Sequence, residues 1–180
     1  MDRRELTLGV PVGMDYQMVF RQERTEPIPC EERDDVRFVT ADDPVSALRL
    51  LPTVKGQYGL PVFLKALARL ALGNRVGYFV IKDGMVVSSG FAWIAKCRHY
   101  WVEPGAVIIG GSWTSTDYRG QGIGLYGVVS TINEMVARGH HIFYADTDRD
   151  NKGGRRIIER CGWGDPIGLY ILGPKPPAES

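Results

Sequence analysis

Residues 119–124 read Arg119-Gly120-Gln121-Gly122-Ile123-Gly124, and this run constrains the fold more than any other stretch of the chain. Glycines at alternate positions carry no Cβ, so backbone amides can approach a ligand closely. Directly behind them Leu125, Val128, Val129, Ile132, Met135 and Val136 fall at helical spacing. The turn is therefore the start of an amphipathic helix, whose unpaired N–H groups and dipole attract anions. The amides of Gly120, Gln121, Gly122, Ile123 and Gly124 make a seat for a polyphosphate, with Arg119 adding a positive charge at its rim.

Other readings of the run compete with that one. A glycine-rich turn can exist with no ligand at all. Gly122, Gly124 and Gly127 also satisfy the dinucleotide fingerprint G-x-G-x-x-G, and Asp146 stands where a ribose-binding acid is expected. Too few residues follow Gly127, however, to complete a doubly wound sheet. A Walker P-loop is excluded because no Gly-Lys-Ser/Thr follows.

At 180 residues, 44% hydrophobic and 24% charged, the chain has the size and composition of one globular domain. A net charge of +1 gives no electrostatic case for a nucleic acid or a membrane as partner. Cys30, Cys97 and Cys161 are odd in number and widely spaced, which suggests reduced thiols, a cytoplasmic location and no metal site. No apolar run matches a signal peptide or a membrane span.

Residues 1–35 are polar and punctuated by Pro11, Gly13, Pro27 and Pro29, and read as an N-terminal extension with 16–21 a possible extra strand. A single domain occupies 36–180. It opens with a strand over 36–40, followed by Asp42 and Asp43 before Pro44, the N-cap and first-turn signals of a helix running to about 52. A second helix covers about 61–72, with Pro61 at its start and Gly73 at its end. Strands over 76–82 and 85–95 flank the hairpin turn Asp83-Gly84. Residues 96–104 either extend that strand or form a loop. Then come a strand over 106–114, the glycine turn and its helix, a strand over 142–147, a short helix over 151–161 and a strand over 167–172. The fold class is mixed α/β, in one domain.

From about 36 to 172 the chain resembles the GNAT superfamily of acyl-CoA-dependent N-acyltransferases. The phosphate pattern of that family, Gln/Arg-x-x-Gly-x-Gly/Ala, is matched by Arg119, Gly122 and Gly124. A second signature, an Asn opening a helix that Gly-aromatic closes, is matched by Asn151, Gly162 and Trp163. The resemblance implies a mostly antiparallel sheet with one splayed parallel pair, in which acyl-CoA lies like an added strand. Trp113, Thr114 and Thr116 would flank the pantetheine, Gly120–Gly124 and Arg119 would hold the pyrophosphate, and Asn151 would sit near the pantetheine arm. The expected co-substrate is acetyl-CoA or another acyl-CoA, without a metal. An amine would attack the thioester directly while a strand amide polarises its carbonyl.

Such chemistry needs a base for the amine proton and an acid for the leaving thiolate. The tyrosine that the family often carries seven residues after the Asn is Ile158 in this chain, so another group or solvent must protonate the thiolate. On the strand 141–146, Tyr144 and Asp146 alternate onto one face, which makes Asp146 the candidate base and Tyr144 the candidate acid. The alternative is a packing tyrosine beside a hydrogen-bonded aspartate. His140 and His141 read as turn residues, and His99 as a packing residue near a substrate mouth. Arg149, Lys152, Arg155, Arg156 and Arg160 read as a solvated face, one or two of whose charges reach the 3′-phosphate.

The resulting expectation is an N-acyltransferase acting on a small-molecule amine or a peptide, with a homodimer compatible with the family. A GNAT-like module that binds acyl-CoA or a protein without turnover is the alternative. The near-neutral composition argues against a polyamine acceptor.

Overall fold

The structure is a computed structural model, and it describes residues 6–9, 12, 14–50, 53, 68, 70 and 74–174. In chain order the elements are β1 (Met14–Glu23), β2 (Arg37–Ala41), α1 (Pro44–Arg49), β3 (Arg75–Lys82), β4 (Met85–Ile94) and β5 (Val107–Thr114). A single 3-10 turn (Thr116–Tyr118) leads to α2 (Ile123–Ala137), β6 (Ile142–Asp148), α3 (Lys152–Arg160) and β7 (Gly168–Pro174). Apart from residues 68 and 70, which are helical, the expected helix over 61–72 lies outside the described residues.

The seven strands form one sheet in the order β2-β3-β4-β5-β6-β1-β7. Every neighbouring pair is antiparallel except β5–β6. The local signals act as expected. Asp43 caps α1, its Oδ1 accepting from the amides of Val45 at 2.6 Å and Ser46 at 3.0 Å. Asp83 and Gly84 turn the β3–β4 hairpin with positive φ at both positions, 50° and 76°. Residues 96–104 are a loop and do not prolong β4.

Placement of β1 is the main departure from the expected organisation. The segment read as an extension contains an inner strand, paired with β6 over Gln17–Glu23 and with β7 over Met14–Val19. Burial explains its place: Tyr16, Val19 and Phe20 lose nearly all their exposure there. The chain then crosses α2, where Asn133 exchanges hydrogen bonds with the backbone N–H and C=O of Ile28 at 2.7 and 2.9 Å.

Helix α2 packs on one face of the sheet, burying Val128, Val129, Ile132 and Met135 against Val76, Tyr78, Val107, Ile109 and Phe143. The close approach uses Gly127, where a Cβ would come 3.0 Å from both Tyr78 Cε2 and Val80 Cγ2. The loop 96–104 covers the other face, where Tyr100 and Val102 pack with Val19, Ile108, Tyr144 and Tyr170.

Candidate functional site

The parallel pair β5–β6 opens partway along its length. Pairing runs from Val107↔Phe143 to Ile109↔Ala145 and ends there, although β5 continues to Thr114 and β6 to Asp148. A bulge accompanies the opening. Phe91 faces Gly110 and Ser89 faces Trp113, so β5 spends one residue more than β4 between those pairs, with Gly111 at φ 61°. The far end of β5 stays tied to β4, because Ser88 Oγ donates to Trp113 C=O at 2.8 Å. The opening widens into a cleft of about 970 Å³ lined by Gly110–Thr114, Arg119, Gly122–Leu125, Ala145–Asp148 and Asn151, among others.

The glycine turn forms one wall of this cleft. Gly120 and Gly122 adopt φ 76° and 77°, a region that favours glycine, and Gly122 is the N-cap of α2. No side chain caps that helix start, so its first amides keep their hydrogen-bonding capacity for a ligand. A Cβ at Gly120 would meet nothing within 4 Å, and one at Gly122 only Arg33 Nη1 at 3.6 Å. Gly124 has a different role: a Cβ there would come 2.8 Å from Thr114 Oγ1, so this glycine lets α2 sit against β5. Two guanidinium groups flank the turn. Arg119 Nε donates to Thr114 C=O at 3.2 Å, and Arg33 Nη1 donates to Gln121 C=O at 2.8 Å. Arg33 also pairs with Asp35, whose carboxyl is held well below the usual range by Arg33 and Lys82.

Asn151 is the N-cap of α3, its Oδ1 accepting from the Gly154 amide at 3.0 Å. Beside it the Thr147 hydroxyl is buried and has no hydrogen-bond partner among the described residues. Ile158, in the family's tyrosine position, lines the cleft as plain hydrocarbon. Of the residues expected to hold acyl-CoA, Trp113, Thr114, Arg119, Gly120, Gly122, Ile123, Gly124 and Asn151 line the cleft, whereas Thr116 and Gln121 do not. Thr116 is taken up in the 3-10 turn, and the Gln121 side chain donates to Asp117 C=O at 3.0 Å.

Tyr144 and Asp146 share a face of β6, but only Asp146 reaches the cleft. Tyr144 donates its hydroxyl proton to Glu103, and burial together with that carboxylate pushes its pKa up to about 12. Its proton is thus engaged away from the opening, a placement that does not fit the expected acid role. Asp146 accepts from Tyr100 Oη at 2.9 Å. Burial raises its pKa above the ordinary carboxylate range, and the Tyr100 hydrogen bond and the nearby His99 pull partly the other way.

Tyr100, Glu103 and Arg21 were not legible as site residues. Arg21 Nε donates to Glu103 at 2.8 Å, so loop 96–104, β1 and β6 are tied together beneath the opening. Sequence offered one hint, the aromatic cluster His99-Tyr100-Trp101; in the structure His99 stacks on Tyr170 at 5.1 Å. Cys161 is buried, its thiol pushed up to about 11 by that burial. Among the described residues no group of three or more His, Cys, Asp or Glu is arranged to hold a metal, and no helix is long and apolar enough to cross a membrane.

The family model for the Acetyltransferase (GNAT) family matches residues 48–163, well over half of the chain. The protein belongs to that family. Solved structures share the fold at low identity. A GCN5-related N-acetyltransferase from Kribbella flavida superposes with a TM-score of 0.58 at 14% identity, over 89% of this chain and 58% of that one. This chain thus spans little more than half of that relative. An aminoglycoside acetyltransferase from an uncultured soil metagenomic sample, in complex with sisomicin, gives 0.56 at 11% identity, over 72% and 88%. AAC(6')-Iy bound to the bisubstrate analogue CoA-S-monomethyl-acetylneamine gives 0.54 at 12% identity, over 73% and 92%. No curated protein matches the chain in sequence.

Proposed function

We propose that this protein transfers an acyl group, acetyl in the first instance, from its CoA thioester to a primary amine by direct attack. The observation that carries the reading is the parted β5–β6 pair, which opens beside a helix start that no side chain caps. The two features suit one ligand. An extended amide-bearing arm can hydrogen-bond between parted strands, and its pyrophosphate can meet the amides at the helix start.

In this reading the amides of Gly120–Gly124 take the pyrophosphate, with Arg119 and Arg33 at the rim. Trp113 and Thr114 flank the arm, and Asn151 and the unpaired Thr147 hydroxyl supply polar contacts beside it. CoA supplies the activated thioester. The amine forms its C–N bond at the thioester carbon as the C–S bond breaks. Asp146 takes the amine proton, and its raised pKa brings it closer to the basicity that this transfer needs. Solvent protonates the thiolate, since Ile158 offers no proton and that of Tyr144 is held by Glu103.

Two structural neighbours are an aminoglycoside acetyltransferase and AAC(6')-Iy bound to an acetylneamine bisubstrate analogue, which supports a small-molecule amine as acceptor. Three cysteines without a disulfide support a reducing, cytoplasmic setting. Thiol release from acetyl-CoA across a panel of amines, paired with calorimetric titration of CoA, tests the reading. Binding without release on any amine or peptide would make the protein a non-catalytic acyl-CoA module, and absence of CoA binding would remove both.

A further inference from the structure

A buried tyrosine reaches the bulge of β5 from two strands away. Tyr78 on β3 pairs with Gly90 on β4, and Gly90 stands opposite Gly111 and Ser112, the residues that β5 places between Gly110 and Trp113. The tyrosine ring lies across Gly90, where a Cβ would come 2.5 Å from both Tyr78 Cε1 and Oη. On the helix side Gly127 makes room for the same ring, since a Cβ there would come 3.0 Å from Tyr78 Cε2. Two glycines thus accommodate one phenol, and its Oη lies 2.8 Å from Ser112 Oγ. Tyr78 is fully buried, whereas Ser112 is exposed and lines the cleft.

Burial decides the direction of the proton between these two hydroxyls. A buried phenol must donate, and Ser112 Oγ is its acceptor among the described residues. Burial pushes the Tyr78 pKa up to about 12, so the proton stays on the phenol at neutral pH. The buried Cys161 thiol of α3, which Tyr78 senses electrostatically, is pushed up to about 11 and is neutral as well. With Tyr78 donating to its oxygen, Ser112 keeps its own proton for the cleft. A hydroxyl that accepts one hydrogen bond also donates the next more strongly.

What that proton meets follows from the two faces of the sheet. Tyr78 packs in the cluster under α2, together with Ile158 and Cys161 of α3, so the Ser112 hydroxyl belongs to this face. Asp146 belongs to the opposite face, with Tyr144 and beneath Tyr100. A CoA arm seated on the starts of α2 and α3 brings its sulfur to the opening from the helix face, while the amine and its base stand on the other. We infer that Ser112, held by Tyr78, donates a hydrogen bond to the leaving sulfur. As the C–N bond forms and the C–S bond breaks, the C–S electron pair passes to sulfur. Ser112 shares its proton with that thiolate without losing it, and solvent then protonates the sulfur. Tyr78 is a positioning residue that acts through Ser112. The inference rests on the acyltransferase reading and adds a residue to its leaving-group side.

The probe is CoA itself, and its bound thiol is titrated by thiolate absorbance. The spectrum of the CoA complex minus that of the dethio-CoA complex cancels the protein's own thiols. Ser112→Ala should lower the ionisation constant of the bound thiol by about tenfold, the order of one hydrogen bond to a charged group. Ser112→Thr should restore the parental value. Tyr78→Phe, which keeps the ring and loses the hydroxyl, should give a smaller shift in the same direction, whereas a merely structural tyrosine would lower the melting temperature and leave the thiol unmoved. Equal ionisation in the parent and in Ser112→Ala overturns the inference and leaves the acyltransferase reading standing. So does a loss of CoA affinity in Ser112→Ala with the thiol unmoved, which would make Ser112 a contact of the arm. An unmoved thiol in Tyr78→Phe overturns the part assigned to Tyr78. If the parent binds no CoA, the acyltransferase reading fails and the inference falls with it.

Discussion

Replacing Gly122 by valine separates the glycine turn as a ligand seat from the glycine turn as mere punctuation. At φ 77° a residue with a Cβ costs about 1–2 kcal/mol, and a β-branched one is an outlier there. Space is not the obstacle to folding, because the added Cβ would meet only Arg33 Nη1 at 3.6 Å. The strain should therefore lower the melting temperature by roughly 2–8 °C, at about 2–4 °C per kcal/mol for a chain of this size, and leave the fold intact. Ligand binding should suffer far more. Relief of the strain turns the amides of Ile123 and Gly124 away from their common direction, and the new methyls occupy the approach to them. Each charge-assisted hydrogen bond lost is worth roughly 1.5–3 kcal/mol, or about one to two decades in affinity. Calorimetric titration of CoA, beside thermal unfolding of the same samples, reads both quantities. Arg119→Ala should cost less, because it removes one charge and leaves the amides in place. A folded Gly122→Val protein that binds CoA as tightly as the parent would refute the phosphate seat.

Asp146→Asn should lower kcat by about two to four orders of magnitude with little change in CoA affinity, as loss of a positioned base does; parental rates in steady-state assays would remove Asp146 from the mechanism. Tyr100→Phe should move the acid limb of the kcat/KM profile to higher pH, because the lost hydrogen bond is one that holds the Asp146 pKa down; an unmoved limb would break the link between the two residues. The stability term of Asp146 has the opposite sense to that of a salt-bridged acid. Folding raises its proton affinity, so its contribution is greatest below the ordinary carboxylate range and is lost as pH rises towards its folded pKa, a trend that urea unfolding across that range can follow. Gly127→Ala should destabilise by about 1–3 kcal/mol through crowding of Tyr78 and Val80, yet leave CoA affinity unchanged, because this residue faces the sheet and not the cleft.

What could be read in advance followed from local chemistry. The glycine turn, the α2 pattern, the Asp43 cap, the Asp83-Gly84 hairpin and the Asn151 helix start depend on residues within a few positions of one another. Such signals survive in the folded chain because each satisfies backbone groups on the spot. Gly124 was legible as a small residue, but its reason was not, since Thr114 Oγ1 is brought against it only by tertiary packing. Tyr100 and Glu103 were hidden for the same cause. Their meaning depends on partners on β6 and β1, and no periodicity in an irregular loop announces such partners. The position of β1 was the largest gap. A strand over 16–21 could be read locally, but its inner place could not, because Gln17 pairs with Asp148 across most of the chain.

That strand bears directly on the opening. β6 loses β5 as a neighbour after Ala145, and with no partner on its other side the stretch Asp146–Asp148 would be unpaired, free to twist or fray. β1 prevents this by pairing along the whole of β6, with Val19, Met18 and Gln17 opposite Asp146, Thr147 and Asp148. The same strand supplies Arg21, which holds Glu103 and through it the Tyr144 hydroxyl. The family match begins at residue 48, so this support comes from a segment outside the matched region. A parted strand pair holds a ligand reproducibly only if each strand is fixed from its far side. In this protein β4 does that for β5 and β1 does it for β6, which makes the N-terminal strand part of the apparatus that keeps Asp146 at the mouth of the cleft.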